Sequence, residues 1–277
     1  MGIGGGVPLS LLEQVGRTAI VRFEDAGALT LQFWSVLRKL PQVLPILGVR
    51  RRWRSAIGQM LAIGASALPM AGTMSLCTGF ILALQSASEL RRFGALEWVV
   101  NLVAIGFTRE LGPLITALSV SGRSASAISA EIGTMVVTEE IDALRVMGLD
   151  PVEFTLAPKY LAALITLPCL TILSTLCGIC AGYLFLASSM DMSLRIYFQA
   201  VAEAVLLRDI AFMLVKAVVF ATIIVHVGCL EGLRVRGGPE AVGHATTAAV
   251  VKSTFLVIFA DLLATAIFYL IGWSSVR

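Results

Sequence analysis

Charge is what this sequence has least of. Asp, Glu, Lys and Arg make up 14% of its 277 residues, hydrophobic residues make up 57%, and the mean hydropathy is +0.89. No soluble single domain could cover that much apolar side chain with so few charges, which excludes an ordinary water-soluble fold. The net charge of +3 comes without a basic domain of clustered Lys and Arg, so nucleic acid is excluded as a partner. Histidine is nearly missing. His226 and His244 stand alone and at no ligand spacing, so no metal site is expected. There is no G-x-x-x-x-G-K-[ST] loop to cradle ATP phosphates, no G-x-S-x-G elbow and no H-E-x-x-H pair. Chemistry on a substrate is therefore not expected of this chain. Cysteine is sparse too. Cys77, Cys169, Cys177, Cys180 and Cys229 all sit in or beside apolar tracts and are expected to be buried hydrophobes rather than a redox pair. The N-terminus carries no pattern of a removable signal peptide.

What the sequence does have is long apolar runs, and they predict an all-α integral membrane protein. Residues 55–88 contain no charge over 34 positions, enough for a helix of about 50 Å against a hydrocarbon core of about 30 Å. A tilt or a break near Leu68-Pro69, Gly72 or Gly79 is expected. Five spans are predicted, at about 60–87, 98–130, 160–187, 210–230 and 246–273, with Gly178-x-x-x-Gly182 as a close-packing motif in the third. Residues 1–54 form a separate amphipathic region holding Arg17, Arg22, Arg38, Lys39 and the Arg50–Arg54 cluster. An interfacial helix or two on the membrane surface fits that pattern. Its Lys/Arg excess places the N-terminus in the cytoplasm, so five spans would leave the C-terminus outside.

Between the second and third spans stands TEEIDALRVMGLDP, residues 138–151, with five charges in fourteen positions. Thr138 is suited to an N-cap, Glu139 and Glu140 to the first turn, and Gly148 to the C-terminal cap, with Asp150-Pro151 halting the helix. A helix over about 138–148 is predicted, too short and too polar to cross a bilayer. Ile141, Leu144 and Met147 would form its apolar stripe, and Asp142 could pair with Arg145. A connector resting on lipid headgroups would be basic; an acidic one points to a protein partner with a groove for a short helix.

The run GRSASAISAEIGTMVVTEEIDALRVMGLDPVEFTLAPKY, preceded by TRELGPLITALSVSGR and followed at 232–253 by GLRVRGGPEAVGHATTAAVVKS, resembles the MlaE/YrbE family of permeases. The resemblance implies a homodimeric permease with an N-terminal interfacial helix and about five spans. It further implies that the 138–148 segment is a coupling helix docking on a cytoplasmic ABC ATPase, which would bind the ATP and Mg. Glu139, Glu140, Asp142, Leu144, Met147, Gly148, Asp150 and Pro151 fall on that motif. The remaining partners implied are a periplasmic MCE-domain assembly, a small accessory cytoplasmic protein and a phospholipid substrate. The implied setting is the bacterial inner membrane, and the implied role is upkeep of outer-membrane lipid asymmetry.

Charges inside spans are costly unless they face partners or water. Arg109 and Glu110 in the second span and Lys216 in the fourth are the candidates for a lipid pathway, the resemblance placing Glu110 and Lys216 at a cavity. Arg123 and Glu131 read as residues near a helix end, while Lys252 and Asp261, nine positions apart, do not pair with each other. A different reading of the same charges is an ion relay in a secondary transporter driven by protons or sodium.

Overall fold

A computed structural model describes residues 57–190 and 192–274; the amphipathic region at 1–54 and the last three residues lie outside the described part. Among the described residues every regular element is helical, and five helices are long and apolar enough to cross a membrane: Ile57–Arg92, Leu96–Val137, Phe154–Ser189, Leu207–Leu233 and Pro239–Leu270. They are called the first to fifth spans below. The protein is an all-α integral membrane protein, as its composition requires.

The first span is interrupted. A π-helical turn, Leu61–Ala65, ends in a turn at Ser66-Ala67, and the helix Leu68–Arg92 restarts with Pro69 in its first turn, where a missing N–H costs nothing. The second span holds two π-helical turns, Phe107–Leu111 and Ser121–Ala125. Each inserts an extra residue into the helical register and so re-aims the side chains around it. Arg109 and Glu110 occupy the first of these turns and Arg123 the second.

Glycines set the closest helix approaches. A Cβ on Gly79 would collide with the backbone carbonyl of Gly178, and one on Gly178 would strike the Phe107 ring. The first and third spans therefore cross at backbone contact, and the Ser75 and Ser174 hydroxyls hydrogen-bond 2.5 Å apart one turn below. Gly228 and Gly232 let the fourth span lie against the second at Ile128 and Ile132. The core around them joins Ile128, Ile132, Leu156, Tyr160, Leu167, Phe220 and Ile224.

Two ends are thereby defined. At one, the short helix Glu140–Val146 links the second and third spans, and Gly133 packs on Val235 of the link between the fourth and fifth and on Val242 in the first turn of the fifth. At the far end lie the turn at Gly94 and a helix, Leu194–Ala204, between the third and fourth spans. Tyr197 of that helix is fully buried and donates its hydroxyl to the Ile179 carbonyl at 2.8 Å.

Candidate functional site

Two sites emerge, one inside the bundle and one at its near end. The first centres on Lys216, ten residues into the fourth span and completely buried. Its ammonium lies 2.7 Å from Glu110 Oε2 on the second span and 2.7 Å from Asp261 Oδ1 on the fifth. It also donates to Thr265 Oγ1 at 2.8 Å and to the Arg109 carbonyl at 3.1 Å. Thr265 in turn donates to Glu110 at 2.9 Å, so three spans are tied to one ammonium. The Arg109 carbonyl is available because the residue four positions on is Pro113, which has no N–H to donate to it.

Beside this centre, Arg109 Nε donates to Asp209 Oδ1 at 3.0 Å. Asp209 sits in the first turn of the fourth span, where its other carboxylate oxygen caps the Leu206 N–H at 3.1 Å. Phe212 and Phe268 stack with centroids 4.3 Å apart and wall the cluster, one ring near Lys216 Nζ at 5.0 Å and the other near Arg109 at 5.3 Å. Three carboxylates thus face two cations. Lys216 and Asp209 are closed off, while the Glu110 and Arg109 side chains remain 36% and 31% exposed. The cluster has a sealed floor and an open polar edge inside an apolar bundle. Lys216 lies about 13 Å along the helix from the far end.

The second site is the acidic segment. Its helix is seven residues, Glu140–Val146, shorter than the expected 138–148. Thr138 does not cap it: the threonine ends the second span, returning its hydroxyl to the Thr134 carbonyl at 2.9 Å and reaching Glu140 at 3.2 Å. The reversal is made by Glu139, which adopts a left-handed conformation at φ 60°. At the other end Gly148, φ 73°, closes the helix, with its N–H on Arg145 and the Leu149 N–H on Leu144. Asp150 then caps the next helix, accepting from the Val152 N–H at 2.9 Å, and Pro151 enters as its first residue.

Ile141 and Leu144 are buried beneath this helix, but Met147 points away from the bundle together with Val146 and Leu149. The expected inward stripe is therefore two residues, and the outer surface is apolar as well as charged. Glu139, Glu140, Asp142 and Arg145 are exposed on it, the last two paired at 2.8 Å.

Several polar residues, inside and outside these sites, have partners that spacing could not assign. Asp261 meets Lys216, and Lys252 meets Glu231 at 2.8 Å. Glu131 is not a simple helix-end residue, since it holds the buried Lys159 of the third span at 2.5 Å. Tyr160, next to Lys159, shares a 2.6 Å hydrogen bond with His226 Nδ1. Asp209, Thr265, Phe212 and Phe268 were not among the expected pathway residues. Asp209 and Asp261 carried a signal, being acids at or inside predicted spans.

The permease family described as Permease MlaE matches residues 56–267 of this chain. A probable ABC transporter permease protein of Rickettsia felis is 33% identical over 264 residues, covering 94% of this chain and 98% of the relative. The Haemophilus influenzae protein named intermembrane phospholipid transport system permease protein MlaE is 30% identical over 262 residues, again 94% of this chain and 98% of the relative. A chloroplastic protein of Arabidopsis thaliana, trigalactosyldiacylglycerol 1, is 33% identical over 227 residues, 82% of this chain and 65% of the relative.

Proposed function

Because this chain belongs to the MlaE permease family and is a multi-pass permease subunit of the ABC transporter type, we propose that it moves phospholipid between the inner membrane and a periplasmic MCE assembly. Such a role would maintain outer-membrane lipid asymmetry. The observation that carries the substrate class is the open edge of the Lys216 cluster. A lipid needs apolar walls for its chains and a few fixed charges for its headgroup, and Arg109 and Glu110 supply those charges from within the spans. Lys216 and Asp261 hold that edge in place from behind.

The membership implies a transported substrate and an ATPase partner. In this reading ATP and Mg are bound by that partner, a cytoplasmic dimer, and the present chain supplies the surface it grips. Glu139, Glu140, Asp142, Leu144, Met147, Gly148, Asp150 and Pro151 form the coupling segment, with Leu144 anchoring it and Val146 and Met147 presented outward. A seven-residue helix fixed at both ends by left-handed residues is stiff, so a push on it is delivered to the second and third spans as a rigid-body movement. The assembly would be a homodimer in the inner membrane, N-termini cytoplasmic and C-termini periplasmic, with the MCE oligomer at the far end and a small accessory protein at the ATPase.

Lipid transfer from reconstituted vesicles tests the reading. Glu110→Ala and Lys216→Ala variants are expected to lose transfer, and full transfer by both would remove the cluster from the pathway. One observation favours ion-coupled secondary transport instead, namely that three carboxylates face two cations inside the spans. Transport driven by an ion gradient with no ATP present would establish that alternative.

A further inference from the structure

Above the Gly79–Gly178 crossing the first and third spans part. Phe80 and Phe185 still touch edge to face, with centroids 5.6 Å apart, and beyond them the helices open into a groove of about 570 Å³. Leu84, Ala87 and Phe185 form its floor and walls, and Leu96 from the start of the second span closes one side. Ser88, Arg91 and Ser189 line it as well. Arg91 is in the last helical turn before the far-end reversal at Gly94, and Ser189 is at the end of the third span. Apolar residues therefore lie on the membrane side and polar ones at the level where lipid headgroups begin.

Arg91 differs from its neighbour. Arg92 reaches Glu89 at 3.6 Å, whereas the Arg91 guanidinium has neither a carboxylate nor a hydrogen-bond partner among the described residues. A lone arginine at a helix end is ordinary snorkelling. One without a partner among the described residues, at the mouth of an apolar groove with two hydroxyls beside it, has the donors for a phosphate and a slot of the right character for an acyl chain.

We propose that this groove binds one anionic phospholipid of the far leaflet, an acyl chain lying against Leu84, Ala87 and Phe185 and the phosphate on Arg91, Ser88 and Ser189. The site is separate from the Lys216 cluster, whose residues come from the second, fourth and fifth spans. It requires that the bundle cross a bilayer and does not depend on how transport is powered. A lipid held there stands at the outer edge of the bundle, so the site is a peripheral berth rather than the pathway itself.

The test places the full-length chain in phosphatidylcholine nanodiscs doped with a phosphatidylglycerol that bears a diazirine on one acyl chain. Photolabelled peptides are then mapped by mass spectrometry. Labels are expected on the segments 83–92 and 184–189. Arg91→Gln should lower them about fivefold, the worth of one charge-assisted phosphate contact. Ser88→Trp, which fills the groove from an exposed position, should lower them as far without disturbing labels near Glu110. Equal labelling by a diazirine phosphatidylcholine, unchanged labelling in both variants, or cross-linking of a protein segment into the groove would overturn the proposal. Loss of all labels near Glu110 with the groove labels intact would instead count against the lipid pathway and leave the berth standing.

Discussion

The Lys159 ammonium lies 2.5 Å from the Glu131 carboxylate, and this pair joins the two spans that the acidic segment connects. Its halves are unequal. The Lys159 side chain is 2% exposed and that of Glu131 49%, so the cation needs the acid far more than the acid needs the cation. The second and third spans also pack on each other, at Gly112 against Thr175 and at Phe107 against Gly178, and this pair adds a charged link between them.

That asymmetry predicts the order of two variants. Glu131→Gln strands a buried cation and is expected to destabilise by the lower part of about 3–5 kcal/mol, since its own side is half open to solvent. Lys159→Met removes the buried charge, keeps the volume and leaves Glu131 free to be solvated, so it should be close to neutral. Thermal unfolding of the detergent-solubilised protein compares them. An equal loss in both would mean that the pair is held by something other than the desolvation of Lys159.

Around Lys216 the imbalance runs the other way, with Glu110 and Asp261 both leaning on one ammonium. Lys216→Met leaves two carboxylates facing each other and should both destabilise the bundle and cut lipid transfer by tenfold or more, roughly what about 1.4 kcal/mol of lost interaction implies. Adding Asp261→Asn relieves the repulsion. The double variant is expected to regain thermal stability but not transfer. Recovery of transfer along with stability would reduce the cluster to a structural ion pair.

Much of this architecture was legible beforehand because apolar runs and isolated charges are one-dimensional signals. The five spans follow from hydropathy, and Glu110 and Lys216 stood out as charges that the membrane would not tolerate alone. Partners were harder. Which residue faces Lys216 depends on helix rotation, and the π-turn at Phe107–Leu111 shifts that rotation by a residue that no periodicity reveals. Asp209 escaped notice because the predicted fourth span began at 210, one residue after it, whereas the helix begins at Leu207 and holds Asp209 in its first turn. Thr138 misled for a local reason. A threonine ahead of two glutamates satisfies the pattern of an N-cap, yet the same hydroxyl can fold back on the carbonyl four residues earlier, and here it does.

Two glycines of the first span should respond oppositely to the same change. A methyl on Gly79 would land on the Gly178 carbonyl, which is backbone and cannot turn aside, so Gly79→Ala is expected to cost about 1–3 kcal/mol by overpacking. Nothing lies within 4 Å of a Cβ placed on Gly72, and there Ala should stabilise by up to about 1 kcal/mol through helix propensity. A melting temperature for Gly79→Ala that does not fall would show that the Gly79–Gly178 crossing is looser than its geometry.

Glu139 combines strain and charge at one position, and two variants separate them. Its left-handed backbone, φ 60°, costs a residue with a side chain about 1–2 kcal/mol, which glycine avoids. Glu139→Gly should therefore raise stability by about 1 kcal/mol, reduced somewhat by the greater freedom of the unfolded chain. Glu139→Gln keeps the strain and removes only the carboxylate, so its stability should stay unchanged. Both lose one of the two adjacent acids on the exposed face of this segment, and on the proposed coupling role both should weaken co-purification of an ABC ATPase, most clearly when Glu140→Gln is added. If Glu139→Gly melts no higher than Glu139→Gln, the left-handed turn is relaxed. If ATPase retention survives in the doubly neutral variant, the grip rests on Val146 and Met147 rather than on charge, and replacing those two with serine should then release it.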